Sequence, residues 1–408
     1  MKVIGLRALV LTTFYPPESE ADRGGTHRRV GAVLRALSPR FDQIDMFHIH
    51  APGRSTDSAK QSAFWGQTLS SGSLSRHEAV PHFLDDNLRG LFDLARQHPW
   101  HRYAAGLLLC ELQARLDTKP DLIVCTRLEP MIALRRCHAT APILLDLDDI
   151  EHKVKRDTLR RLRPGLRTAL AWAKWPALLR EERAASGRAT RTAVCSTLDE
   201  AYLRRMRFPG TIVTIPNAIA MPAAVPGPAL APTVLYLGTM GYPPNHAAAE
   251  RLVRHIWPLI RAAIPDARLI LAGPGSDVLP SRAGHPAGVE YRGFVTDLPA
   301  LYAETALVCC PLTEGGGTRL KLVEAAAYAR PIVSTAKGAE GLGLADGIHI
   351  VEAETDQAIA VACIALLRDP ARAARLGAAA RAVAAAQFDL DAIIAQIGRI
   401  IDDIVPHT

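Results

Sequence analysis

Apolar residues along this chain fall into short dense runs separated by stretches with helical spacing. In the first half, RALVLTTF (7–14), QIDMFHI (43–49), DLIVCT (121–126), PILLDLD (142–148) and RTAVCS (191–196) read as strands. Helical segments lie between most of them, among them RRVGAVLRAL (28–37). The second half alternates more regularly. TVLYLG (233–238), ARLILAG (267–273), VEYRGF (289–294), LVCCPL (307–312) and PIVST (331–335) read as strands, with AAAERLVRHIWPLIRAAIP (247–265) and LPALYAETA (298–306) as helices. A further helix is predicted from Thr318 to Ala329, where Leu320, Val323 and Ala327 recur at helical spacing and Pro331 closes the segment. Alternation of short apolar strands with helices argues for parallel, doubly wound sheets.

Between the halves, IPNAIAMPAAVPGPALAP (215–232) is rich in Pro and Ala, has little periodicity, and reads as a linker. The pattern therefore predicts an α/β protein of two Rossmann-like domains, 1–217 and 218–390, with a cleft between them as the default ligand site. No repeat of fixed period and no long low-complexity tract interrupts it.

The length of 408 residues suits about two or three domains with a large core. The first residues, MKVIGLRALVLTTFYPP, are apolar, but Arg7 interrupts them and Pro16-Pro17 ends them. A first buried strand is expected there rather than a membrane span or a cleaved leader. The seven cysteines are scattered through mostly apolar runs, with no CxxC pair, which points to reduced core residues and a cytoplasmic protein.

Charge changes the picture more. The net charge is +7. Residues 1–217 hold 33 Lys and Arg against 23 Asp and Glu, and residues 218–408 hold 15 against 18. The asymmetry suggests domains with different partners. The densest basic stretch, Lys153 to Arg191, has 12 cations and 3 carboxylates and includes RRLRPGLRTALAWAKWPALLREERAA. Pro164 and Pro176 are expected to limit or kink a helix there. Trp172 and Trp175 beside arginines suit an anionic membrane surface. A core-packed helix with solvated arginines explains the stretch equally well. Nucleic acid would also attract this charge, but no nucleic-acid motif accompanies it.

The sharpest chemical signal is EGGGTRLK (314–321), between a strand and a helix. Glycines let backbone N–H groups approach a ligand, and a helix N-terminus carries positive potential. Cations are disfavoured at such a terminus, so Arg319 and Lys321 call for something negative nearby. A diphosphate cradle meets that demand, with Arg319 forking onto phosphate oxygens and Lys321 as a point charge. A tight turn followed by two solvated cations is the bland alternative. Glu324, five residues beyond Arg319, can accept hydrogen bonds from two ribose hydroxyls, or pair with Lys321 at i,i+3.

The stretch EGGGTRLKLVEAAAYARPIVSTAKGAEGL resembles the donor-site segment of the retaining family-four glycosyltransferases (glycosyl transferases group 1) of the GT-B type. TVLYLGTMGYPPNHAAAERL, LILAGPG, VEYRGFVTDLPALYAETALVCCPL and TIPNAIA match in order and spacing. In the first half, FYPPESEADRGGTHRRVGAVLRAL resembles the Gly-rich loop facing the donor diphosphate, and PILLDLDDIEHK and AVCSTLDE match later strands of the acceptor domain. The resemblance implies transfer of a sugar from a nucleotide-diphosphate sugar, with retention, to a glycan or lipid-linked acceptor in surface polysaccharide or glycan assembly. It implies no metal and no cofactor beyond the donor itself, and a C-terminal segment, 391–408, returning to the first domain. The implied donor-binding set is Gly24, Gly25, Thr239, Phe294, Gly316, Gly317, Thr318, Arg319, Lys321 and Glu324. Asp148 and Glu314 are the catalytic candidates. Asp149 could serve instead as a helix cap. The DLDD of residues 146–149 spells a metal motif but lies in the acceptor half, and we do not read it as one.

Two departures from the family pattern stand out. The usual pair of glutamates places its first member at position 316, which here is Gly316, with Glu314 two residues earlier. The loop after Gly238 usually carries an Arg and a Lys, and here it reads Thr239, Met240 and then YPPN. Arg319 and Lys321 are the expected replacements. The first departure keeps a second class open, a non-catalytic nucleotide-sugar-binding relative. The inner face of the plasma membrane is the expected place of work if the acceptor is lipid-linked.

Overall fold

The computed structural model describes residues 5–13, 25–49, 69, 73–79, 106–227, 229 and 231–405. They form two compact units, one containing the described residues within 5–13, 25–216 and 392–405, the other those within 217–391.

The first unit is built on a seven-stranded parallel sheet in the order β3-β2-β1-β4-β5-β6-β7. Its strands are β1 (Arg7–Thr12), β2 (Gln43–Ile49), β3 (Ser73–Ala79), β4 (Leu122–Thr126), β5 (Ile143–Asp146), β6 (Arg191–Val194) and β7 (Thr211–Thr214). Central strands are buried on both faces, which is why they read as unbroken apolar runs. Leu9 stands beside Ile123 across β1 and β4, and both enter one core with Leu11, Phe47, Cys125 and Leu145.

Helix Leu390–Ile404 starts at the end of the second unit and belongs to the first from Ala392 onward. Its buried stripe is Ile393, Ile397, Ile401 and Ile404. Asp402 takes a two-pronged ion pair from Arg40 at 2.6 and 2.8 Å, and Gln396 donates to the Thr214 carbonyl at 2.8 Å.

The second unit has a six-stranded parallel sheet, β10-β9-β8-β11-β12-β13. The strands are β8 (Thr233–Leu237), β9 (Arg268–Ala272), β10 (Val289–Tyr291), β11 (Leu307–Cys310), β12 (Ile332–Ser334) and β13 (Val351–Glu352). β8, β9 and β11 form its centre, and Leu235, Ile270, Val308 and Val323 share one core.

Three strands escape the pattern analysis: β3, β7 and β13. All three are sheet edges. An edge strand is paired on one side only and needs no apolar run, as SLSRHEA shows. The long helix expected over 247–265 is three pieces: Pro243–Arg251, a π turn at Leu252–Ile256, and Trp257–Ala263. Pro258 has no N–H to continue an α ladder, and the wider turn absorbs the loss.

Pro176, by contrast, does not break the basic segment. Helix Leu166–Arg188 runs through it. Its C-terminal half is packed, with Ala177, Leu178, Glu182 and Ala185 buried, while Arg160, Arg161, Arg163 and Arg167 are exposed. All seven cysteines are free, and all but Cys110 are buried.

Candidate functional site

In the second unit, the loops leaving the carboxyl ends of β8, β9 and β10 meet through backbone contacts. Gly238 N–H donates to the Ala272 carbonyl at 3.0 Å, Met240 N–H to Pro274 at 2.8 Å, and Gly273 N–H to Gly293 at 2.6 Å. Gly273 has φ +116°, and a Cβ there would sit 2.2 Å from the Gly238 oxygen. Only glycine allows this approach. Phe294, next in the chain to Gly293, is 41% exposed. Thr239 is exposed, and its carbonyl accepts from Tyr242 N–H.

The glycine segment follows β11. Its helix is shorter than expected, Leu320–Ala327, with Arg319 as the N-cap and Ala329 turned left-handed at φ +52° before Pro331. Arg319 is buried and folds back on its own loop. It donates from Nη2 to the Gly315 carbonyl at 2.8 Å and from Nη1 to the Gly317 carbonyl. In a trans peptide the N–H points opposite to the C=O. The N–H groups of Gly316 and Thr318 therefore face away from the guanidinium. Gly315, at φ +114°, and Gly317, at φ +65°, supply the bends this needs. Thr318 Oγ1 is buried with no hydrogen-bond partner among the described residues. Glu314 and Gly316 are partly exposed on the loop, and Glu324 is buried one turn into the helix.

Lys321 extends to the loop after β8. Its Nζ donates to Asn245 Oδ1 at 2.6 Å and to the Tyr236 hydroxyl at 3.2 Å, and lies 4.5 Å from the Tyr236 ring centre. Burial brings its ammonium down to about 8, and the neighbouring Arg319 charge acts in the same direction. One of the two cations missing from the sequence after β8 is thus brought to the end of that strand and the first turn of helix Pro243–Arg251 from the helix after β11.

The first unit holds the other candidates. Gly24 lies outside the described residues. Gly25 opens helix Gly25–Leu37. Thr26 Oγ1 donates to Asp148 Oδ2 at 3.0 Å, which joins the start of that helix to the loop after β5. Asp148 is left-handed at φ +53°, a conformation Asp tolerates better than most residues. Asp146 is paired instead with buried Arg29, which grips both its oxygens, Nε at 2.8 and 2.7 Å and Nη2 at 2.6 Å, while Nη1 reaches the Ile215 carbonyl at 2.8 Å.

Asp149 does not cap the next helix. Ile150 is the N-cap and offers no side-chain bond, while Asp149 lies 3.4 Å from Arg127. The cap comes from across the fold. Glu182 accepts from the N–H groups of Glu151 at 2.8 Å and His152 at 3.1 Å, and from His152 Nδ1. His152 and Glu182 are both fully buried. His152 Nε2 meets the Tyr202 hydroxyl at 2.9 Å, and Trp175 Nε1 donates to the His152 carbonyl at 2.8 Å. Burial, with the nearby Glu129 and Glu182 carboxylates, holds Glu151 well above the usual carboxylate range.

Each unit therefore gathers its own part of the candidate set: Gly25 with Asp148 in the first, and the glycine loop with Thr239, Phe294, Arg319, Lys321 and Glu324 in the second. The sequence analysis missed Thr26, Arg29, Tyr236 and Asn245. Their signals were weak, a hydroxyl and an arginine inside a motif, a strand tyrosine, and the Asn of YPPN.

Two parallel-sheet α/β units with glycine loops at the strand ends define the GT-B fold. Residues 231–369 match the family model for Glycosyl transferases group 1. No curated protein sequence matches significantly. Solved structures agree over the whole chain. Sucrose-phosphate synthase from Thermosynechococcus elongatus is similar with a TM-score of 0.70 and 19% identity, covering 98% of each chain. HepE from Anabaena, solved with UDP-glucose, gives 0.65 and 16%, covering 98% of this chain and 100% of its own. WaaG, a glycosyltransferase involved in lipopolysaccharide biosynthesis, gives 0.65 and 14%, covering 98% and 100%.

Proposed function

We propose that this protein is a retaining glycosyltransferase that moves a sugar from a nucleotide-diphosphate donor to a glycan or lipid-linked acceptor. One observation carries the reading: Lys321 reaches Asn245 and the end of β8 beside Gly238, and the glycine loop that precedes it passes Tyr242 and Pro244 at Gly315. That arrangement suits a diphosphate. The Lys321 ammonium supplies charge, and Arg319 engages the loop carbonyls so that the Gly316 and Thr318 amides and the Thr318 hydroxyl are available. A leaving diphosphate held in this way is stabilised as charge develops on it, a task a metal ion performs elsewhere. Glu324 accepts from the ribose hydroxyls, and the exposed ring of Phe294 stacks on the base. HepE, solved with UDP-glucose, lends support to a nucleotide-sugar donor.

In the first unit, Asp148 is held by Thr26 and orients the acceptor hydroxyl. A retaining transfer on one face lets the departing phosphate take the acceptor's proton, so Asp148 need not be a strong base. Glu314 contacts the donor sugar. The exposed end of the basic segment, where Leu162, Leu166 and Trp172 stand among arginines, suits docking on an anionic membrane that carries the acceptor. Among the described residues, no helix is long and apolar enough to cross a membrane.

A second reading, a nucleotide-sugar-binding relative without transfer, rests on Gly316 at the place of the first family glutamate. The test is incubation with UDP-, GDP- and ADP-sugars and candidate glycan acceptors, followed by mass spectrometry. Transfer is expected with one donor. Binding of a donor with neither transfer nor hydrolysis under any condition favours the second reading.

A further inference from the structure

Lys321 is held by two residues that the family pattern leaves unassigned, and both are fixed by their own bonds. Asn245 Nδ2 donates to the Thr239 carbonyl at 3.0 Å, which turns Oδ1 toward the ammonium. The Tyr236 hydroxyl donates to the Asn245 carbonyl at 3.0 Å, which leaves its lone pairs for Lys321. A Cβ at position 238 would lie 2.8 Å from Nζ and 3.1 Å from Asn245 Nδ2. Glycine at this position is what lets the ammonium reach the end of β8.

We propose that Asn245 and Tyr236 are positioning residues that hold the Lys321 ammonium at the end of β8 for the donor diphosphate. This rests on the donor-site reading above. The groups facing Lys321 are Arg319 and Glu324 on its own segment, Cys310 from β11 and Tyr236 from β8. Burial pushes the Cys310 thiol and the Tyr236 hydroxyl up, so neither is ionised near pH 8. Lys321, brought down to about 8, is then the group that changes charge there. A neutral amide and a phenol steady the ammonium without neutralising it, so its charge remains available to an anion. A diphosphate beside it favours the protonated form and draws a proton from solvent on binding.

The test is calorimetric titration of the full chain with UDP, GDP and ADP in two buffers of different ionisation enthalpy. Near pH 8 the wild type should take up a fraction of a proton per nucleotide bound, because burial brings its lysine down to about 8. Asn245→Ala and Tyr236→Phe should bind roughly tenfold more weakly at pH 7, as expected when an ammonium loses an acceptor. The pH at which affinity falls should also move down, since the protonated lysine has lost a partner. Wild-type affinity and pH profile in both variants overturn the proposal, even if their unfolding temperatures drop. Tyr236→Phe removes one hydroxyl only and keeps the test alive if Asn245→Ala does not fold. Lys321→Met separates the two levels. Unchanged nucleotide affinity in Lys321→Met rejects the donor-site reading itself. Lost affinity there, with wild-type behaviour in the other two variants, rejects only the positioning roles. Failure of all three nucleotides to bind the wild type rejects both.

Discussion

Two cations that look alike in the sequence have different surroundings in the structure. Arg319 spends its donors on the carbonyls of Gly315 and Gly317, whereas Lys321 reaches Asn245 and Tyr236, 85 residues away for the latter. The arginine shapes the glycine loop and the lysine carries charge to the strand ends. Glu324, buried behind them, gives a residue-scale prediction. Glu324→Ala should weaken binding of the natural nucleoside diphosphate by about 1–3 kcal/mol through lost hydrogen bonds to the ribose. Its 2′-deoxy analogue should lose less, so the mutant binds the two about equally. Calorimetry with both nucleotides decides it, and wild-type discrimination in the mutant assigns Glu324 a structural role. Lys321 also ties stability to pH. Its folded value of about 8 lies below the ordinary lysine range, so above pH 8 the unfolded chain binds more protons than the native one. Its contribution to ligand-free stability therefore rises from pH 8 toward pH 10.5, about the ordinary lysine value. Lys321→Met should remove that rise from urea-unfolding curves.

At the scale of elements, backbone approaches and cross-fold caps decide where side chains point. Gly273→Ala would force a left-handed residue against the Gly238 oxygen, 2.2 Å from the new Cβ. The expected cost is about 2–5 kcal/mol, with loss of nucleotide binding. A cooperative unfolding transition within 1 kcal/mol of wild type, with binding intact, would contradict the tight β8–β9 junction. In the first unit, Glu182→Ala strips the acceptor from two backbone N–H groups and from a fully buried His152. Destabilisation of about 3–5 kcal/mol is expected, followed through Trp175, whose indole sits on the His152 carbonyl. Central strands were legible because burial on both faces demands apolar runs, and the glycine loop because three glycines between a strand and a helix mark a bend in the backbone. Three of the four edge strands, the π turn at Pro258 and the Glu182 cap were not legible. An edge tolerates polar residues, a helix can widen around a proline, and a cap supplied from 31 residues away leaves no local mark. The Arg29–Asp146 pair, 117 residues apart, hid for the same reason. Tyr236 lay inside the strand run TVLYLG with nothing to single it out.

For the whole molecule, the excess of positive charge in residues 1–217 and the exposed Leu162, Leu166 and Trp172 give the first unit a face suited to anionic lipid. Co-sedimentation with vesicles containing phosphatidylglycerol should exceed that with neutral vesicles and weaken as salt rises, since screening acts over roughly 8–10 Å. Replacing Arg160, Arg163 and Arg167 by Ser should reduce it and leave nucleotide binding intact. Equal, negligible binding to both vesicle types would assign this face to solvent and favour a soluble acceptor. The donor site lies in the other unit, and a crystal structure of the full chain with whichever of UDP, GDP or ADP binds tests it. A diphosphate is expected within hydrogen-bond distance of Lys321 Nζ and of the Gly316 and Thr318 amides, with the ribose hydroxyls on Glu324. A nucleotide bound elsewhere, or one whose phosphates leave Lys321 on Asn245 without a contact, would contradict it.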